Sequence, residues 1–193
     1  GDDTAYRMGR VSFNPFRHID PVGTVLIPGI LLLSGTRMLF GWAKPVPVNF
    51  GRLRHPRPHM VLVAAAGPGI NIAIAVISAV LLHAVPLVPE AGQEWLAANL
   101  RNSVYINVLL AVFNMLPVPP LDGGRVAVGI LPRPIARPLA RLERYGLFII
   151  LFALFILPLL GQTLGRNLNL FTWLVIAPAE SVIRVIASVT GHL

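Results

Sequence analysis

The chain has 193 residues, a mean hydropathy of +0.71 and only 12% charged residues. That charged share is about half of what an ordinary soluble domain carries, so a soluble class is excluded and about five membrane spans joined by short loops are expected. The sequence has no cysteine, which excludes a disulfide framework and a cysteine zinc site. The net charge of +8 does not indicate nucleic-acid binding, because the basic residues lie in loops between apolar runs.

The first third of the chain is polar, then apolar, then basic. Residues 1–20 are rich in turn signals, with a weak strand signal around Val11. The first predicted span covers 22–42, and the basic loop 44–59 follows it. In that loop Val46 is flanked by prolines, which predicts a short extended segment.

The remaining spans are predicted at 60–85, 98–117, 145–161 and 168–189. Pro68 predicts the loss of one backbone hydrogen bond in the span 60–85, just before Asn71. The stretches Pro86–Arg101 and Val118–Arg144 read as loops, the former acidic and the latter basic. Loop charge therefore predicts that both basic loops lie on the cytoplasmic side. The predicted fold is an all-α, multi-pass transmembrane protein forming one membrane-embedded domain over 1–193, with some helices broken by Pro or Gly and with short extended loop segments.

The stretch NMLPVPPLDGG, residues 114–124, ends an uncharged apolar run with three prolines, one carboxylate and a glycine pair. A carboxylate at the end of a membrane-length segment is costly, so Asp122 needs a partner or a function. Two interpretations are open: Asp122 is a metal ligand, since zinc accepts carboxylate oxygens, or it is an N-cap or turn aspartate at the start of the helix over 123–131. The residues that would shape such a site are Pro117, Pro119, Pro120, Gly123 and Gly124.

Two amides and one histidine pair are the other candidates. Asn71 and Asn114 lie at membrane depth, where they either join helices by hydrogen bonds or donate to a substrate carbonyl. His55 and His59 have the i, i+4 spacing of a metal-binding pair. Prolines at 56 and 58 predict that no α-helix joins them, so we interpret both histidines as solvated loop residues.

Four segments, in this order along most of the chain, resemble the site-2 protease family of intramembrane zinc metalloproteases, in its compact bacterial branch without a PDZ domain. They are GDDTAYRMGRVSFNPFRHIDPVGT, FGWAKPVPVNF, AAAGPGIN and FNMLPVPPLDGGR. The last closely resembles the family's NxxPxPPLDG-type signature. The resemblance implies zinc-dependent cleavage in or near a membrane segment, with Zn²⁺ as cofactor, Asp122 as third zinc ligand, and Asn71 and Asn114 positioning the substrate.

The family's other signature, HExxH, is absent from the 193 residues. Its histidines bind zinc and its glutamate activates water, so we expect this motif upstream of Gly1, no catalytic general base within this chain, and no activity from the chain alone. The expected partners are a membrane-protein or peptide substrate and the lipid bilayer, without nucleic acid, and the expected location is the bacterial inner membrane. The alternatives are a transporter-type subunit and a non-catalytic membrane scaffold.

Overall fold

The computed structural model describes residues 2–12, 14–35, 41, 43–44, 46–166 and 168–192. These residues form helices, turns and irregular segments but no β-strand, which confirms the predicted all-α class. The chain divides into two compact units, residues 1–56 and 57–193.

The first unit contains α1 (Thr4–Arg7) and α2 (Pro21–Leu33). The Asp20 carboxylate starts α2 by accepting hydrogen bonds from the Val22 and Gly23 amides at 3.0 and 2.7 Å. At 13 residues, α2 is shorter than the predicted span 22–42, of which 36–40 and 42 lie outside the described residues. The described residues around Val11 and Val46 are irregular, so the weak strand signal near Val11 was wrong over those residues.

The second unit contains the long helices. The first of them, α3, starts at the boundary between the two units. In chain order they are α3 (Pro56–Leu87), α4 (Glu90–Asn114), α5 (Asp122–Ile130), α6 (Arg133–Arg141), α7 (Glu143–Thr163) and α8 (Thr172–Val189). By length and composition, four of the described helices can cross a membrane: α3, α4, α7 and α8. The predicted spans 60–85, 98–117, 145–161 and 168–189 each fall largely on one of them, and the chain is a membrane protein.

Two local predictions about helix bounds were wrong, for physical reasons. Helix α3 begins at Pro56 and includes His59, because the first turn of a helix does not use the amide hydrogens that proline lacks. As the predicted span 60–85 requires, α3 continues through Pro68, where proline removes one hydrogen bond without ending the helix. Helix α4 begins at Glu90 instead of near 98, since the polar stretch before Arg101 is made of good helix formers.

Small residues let α3, α4 and α8 pack closely. Their shared core consists of Ala75, Ala79, Val104, Val108, Ala179 and Ile186. Ser78 on α3 and Ser103 on α4 are joined by a hydroxyl hydrogen bond of 2.8 Å. The packing fixes the position of α4, which ends at Asn114, and the turn begins directly after this residue.

Candidate functional site

The turn between α4 and α5 is folded tightly on itself. The Val118 amide donates to Leu116 O at 2.8 Å, and the Leu121 amide donates to Val118 O at 3.0 Å. The peptide bond between the two adjacent prolines of the turn, 119 and 120, is cis. Both glycines after Asp122 are buried. A Cβ at Gly123 would overlap the carbonyl of Met115, and a Cβ at Gly124 would lie 2.6 Å from the carbonyl carbon of Val118. The glycine pair therefore lets α5 start directly against the end of α4.

Helix α7 closes the turn from another side. A Cβ at Gly146 would overlap the carbonyl oxygen of Pro119, so the helix and the turn touch backbone to backbone. One turn earlier on α7, Glu143 pairs with Arg125 of α5 at 3.1 Å. The sequence contains one signal for this contact, since Gly146 is an isolated glycine inside an apolar helix. The contact itself was not predicted from the sequence.

Asp122 is the first residue of α5, and Leu121 occupies the N-cap. No side-chain capping hydrogen bond is made there, and within the described residues the Asp122 carboxylate has no hydrogen bond or ion-pair partner. Asp122 is therefore not a side-chain cap, but its position in the first turn of α5 agrees with an aspartate at a helix start. Burial raises the pKa of the Asp122 carboxyl above its ordinary value, and the Arg125 guanidinium opposes part of that rise. The positive end of the α5 dipole favours a negative charge at this position.

The Asp122 carboxylate lies beside α3. A Cβ at Gly67 would be 3.2 Å from Oδ2 of Asp122, whereas a Cβ at Gly69 would meet nothing within 4 Å. Asn71 is one helical turn beyond Gly67 on the same face, and its side chain leans back toward that turn because Cα–Cβ bonds tilt toward the helix N-terminus. The structure thus places Asp122 against the α3 face that carries Asn71.

Contacts at the C-terminal end of α5 hold this helix against α3. The guanidinium of Arg57, in the first turn of α3, donates to Val128 O at 3.3 Å and also to Leu131 O. These carbonyls belong to the C-terminal end of α5, where a cation is favourable. A Cβ at Gly129 would overlap the side chain of Val61, so this approach is also close. No feature of the sequence pointed to Arg57.

Asn114 is the last residue of α4, immediately before Met115, whose carbonyl contacts Gly123. Asn71 and Asn114 are both half-buried, and neither side-chain amide makes a hydrogen bond to any described residue. Among the described residues, these two amides therefore do not join helices through side-chain hydrogen bonds. In α3 and α4 that role belongs to the serine pair described above.

The described residues do not complete a metal site. They contain no group of three or more His, Cys, Asp or Glu side chains able to hold an ion together. Asp122 alone fits a cation ligand, being a carboxylate with no partner among the described residues, at a helix start. A zinc site needs about three protein ligands, and the described residues do not bring three such side chains together.

An apolar cavity of about 310 Å³ adjoins the turn. Its wall is formed by the turn, the end of α4, the middle of α7 and the start of α8, and includes Leu116, Val118, Leu121, Ile150 and Leu174. Phe113 and Phe171 meet edge to face at its rim, with ring centroids 6.4 Å apart. The lining is almost entirely carbon, which suits an apolar side chain.

The turn between α4 and α5 lies within a match to a known protein family. The model of Peptidase family M50 matches residues 89–158, which include α4, the turn and Asp122. A Bacillus subtilis (strain 168) protein named "Putative zinc metalloprotease YwhC" is 41% identical over 179 residues, covering 88% of this chain and 75% of that protein.

Two proteins named "Putative zinc metalloprotease Rip2" are more distant. The Mycobacterium tuberculosis (strain ATCC 25618 / H37Rv) protein is 28% identical, over 83% of this chain and 59% of its own length. The Mycolicibacterium smegmatis (strain ATCC 700084 / mc(2)155) protein is 26% identical, over 84% and 60%. No solved structure matches the chain.

Proposed function

Because the chain belongs to Peptidase family M50, the site-2 protease family of zinc metalloproteases, we propose that it forms part of an intramembrane protease in which Asp122 is a zinc ligand. One observation carries the assignment. The Asp122 carboxylate is half-buried at a helix start, has no protein partner among the described residues and does not cap its helix. A buried carboxylate needs compensation, and a bound cation provides it.

The other ligands are proposed to come from outside residues 1–193. The chain lacks HExxH, and it spans three quarters of YwhC and about three fifths of the Rip2 proteins. The relatives thus contain further sequence in which such a motif can lie. Zinc, when bound, supplies Lewis acidity that polarises a scissile carbonyl and makes water a nucleophile near neutral pH.

The two amides are proposed to hold the substrate. A peptide bond inside a membrane helix is internally hydrogen-bonded, so a substrate segment must unwind before it can be cleaved. Unwinding leaves carbonyl oxygens without donors in an apolar medium. Asn71 and Asn114 offer side-chain N–H groups that no described residue uses, and the apolar cavity offers room for a neighbouring side chain. The substrate is accordingly a membrane protein or peptide, and the enzyme's location is the bacterial inner membrane.

The test uses the intact protein, with any segment that precedes residue 1. Asp122→Asn keeps the side chain's size and removes its charge. We expect it to lose most bound zinc, measured by elemental mass spectrometry of purified protein, and to abolish cleavage of a membrane-protein substrate. Glu90→Gln is the matched control, because that exposed carboxylate lies at the start of α4, at the opposite end of this helix from the turn that holds Asp122. Full zinc content and activity in Asp122→Asn would reject Asp122 as a required ligand.

A further inference from the structure

Helix α6 presents three arginines on one side. Arg133, Arg137 and Arg141 are spaced four residues apart and therefore lie within an arc of about 80° on the helix surface. Ile135 and Leu139 lie on the opposite side of the same nine-residue helix. This division of charged and apolar residues is that of a helix lying in a membrane interface.

The three arginines have no counter-charge among the described residues. All three are exposed, and none makes an ion pair or a hydrogen bond to any described residue through its side chain. Between residues 125 and 144 the sequence has five arginines and one acid, Glu143. Glu143 is already paired with Arg125, so it does not neutralise the α6 arginines.

The position of α6 in the chain places these charges near a bilayer surface. Only Leu142 separates α6 from α7, which is long and apolar enough to cross a membrane. Arg133 is therefore within about 15 Å of the start of that helix. Ile135, on the opposite side of α6, is 55% exposed, and Leu142, which follows the helix, is 40% exposed, so apolar side chains are available to the acyl region.

We propose that the α6 arginine face, defined as Arg133, Arg137 and Arg141, binds the headgroup phosphates of anionic phospholipids. Guanidinium groups bind phosphate oxygens through paired N–H donors, and juxtamembrane arginines are attracted to anionic leaflets. The exposed apolar side chains would enter the acyl region beneath the headgroups. Because α6 follows α5 directly, such binding would hold the short helix that begins with Asp122 near the interface. The proposal stands independently of proteolysis.

The test measures lipid affinity of the intact protein in a neutral detergent. Palmitoyl-oleoyl phosphatidylglycerol is titrated and bound lipid is counted by native mass spectrometry, with palmitoyl-oleoyl phosphatidylcholine and inorganic phosphate as separate probes. The variant is Arg133→Gln/Arg137→Gln/Arg141→Gln. The matched control is Arg101→Gln/Arg166→Gln/Arg184→Gln, which removes three exposed arginines elsewhere in the chain.

We expect phosphatidylglycerol to bind the unmodified protein at least about tenfold more tightly than phosphatidylcholine, since each arginine contributes about fivefold. The α6 variant should lose that preference and the control should keep it. A lysine version, Arg133→Lys/Arg137→Lys/Arg141→Lys, should retain most of it and shows whether folding survives substitution here. Equal binding of both lipids, an unchanged preference in the glutamine variant, or competition by inorganic phosphate at the lipid's own concentration would overturn the proposal. Displacement of the lipid by an acidic peptide would also overturn it and assign the face to a protein partner.

Discussion

Gly67→Ala is expected to weaken zinc binding without unfolding the protein. The added Cβ would lie 3.2 Å from Oδ2 of Asp122, whereas ordinary contacts of this kind are 3.4–4 Å. The carboxylate must therefore retreat by about 0.2 Å or turn away, while zinc–oxygen bonds of about 2.0–2.2 Å tolerate errors of only about 0.2 Å. Substitutions that disturb the groups around a metal ligand typically cost about 10–100-fold in affinity, and we expect the lower end.

Gly69→Ala is the matched control for that experiment. Both glycines are in α3, and alanine stabilises a helix interior by up to about 1 kcal/mol relative to glycine. A Cβ at Gly69 meets nothing within 4 Å, so this variant gains helix stability without touching Asp122. Zinc dissociation constants of the two variants of the intact protein are compared by competition with a chelating dye, alongside thermal unfolding. Equal zinc affinity in both variants would refute the placement of Asp122 against Gly67.

The remaining predictions concern the turn, the amides and the N-terminal unit. Gly146→Ala would place a methyl group on a backbone carbonyl of the turn, and since overpacking costs about 1–3 kcal/mol we expect a lower unfolding temperature; an unchanged one would show that α7 does not contact the turn. Asn71→Ala and Asn114→Ala should each lower kcat by about 10-fold or more with zinc content intact, and a parallel loss of zinc would indicate a structural role instead. The pKa of Asp2 is held below its ordinary value, chiefly by the hydroxyl of Thr4 and then by the Asn49 amide, so its stabilising effect is present above the unfolded-state pKa and is lost as pH falls through the folded one. The protection factor of the residue 49 amide, which is corrected for the intrinsic slowing of exchange in acid, should fall as Asp2 becomes protonated, and Asp2→Asn should remove that dependence.

Family membership favours the protease over the transporter-type subunit and the scaffold that composition alone left open. All three classes have apolar helices, broken turns and polar residues at membrane depth, so none of those features separates them. The family match separates them, because it covers the turn that holds Asp122. Tests of the zinc site and of the α6 arginine face are separable, because one reads metal content and cleavage and the other reads lipid affinity.

The errors in predicting helix bounds share a cause. Pro56 and Pro58 do not prevent a helix, because the effect of proline depends on whether the missing amide hydrogen is needed at that position. Polarity was treated as a sign of a loop in the stretches before Arg101 and after Leu121. Both stretches contain helices, since helix propensity does not depend on being apolar.

What the sequence determined by itself was the class of the molecule. Hydropathy and charge placement are local properties, and they were enough to predict a multi-pass helical membrane protein and to single out Asp122. The environment of that carboxylate is not local. The carboxylate lies beside Gly67, 55 residues before it in the chain, and the turn that precedes it contacts Gly146, 24 residues after it. Only the packing of α3 and α7 decided which residues are these neighbours, because close backbone approach is a property of two surfaces and not of either segment alone.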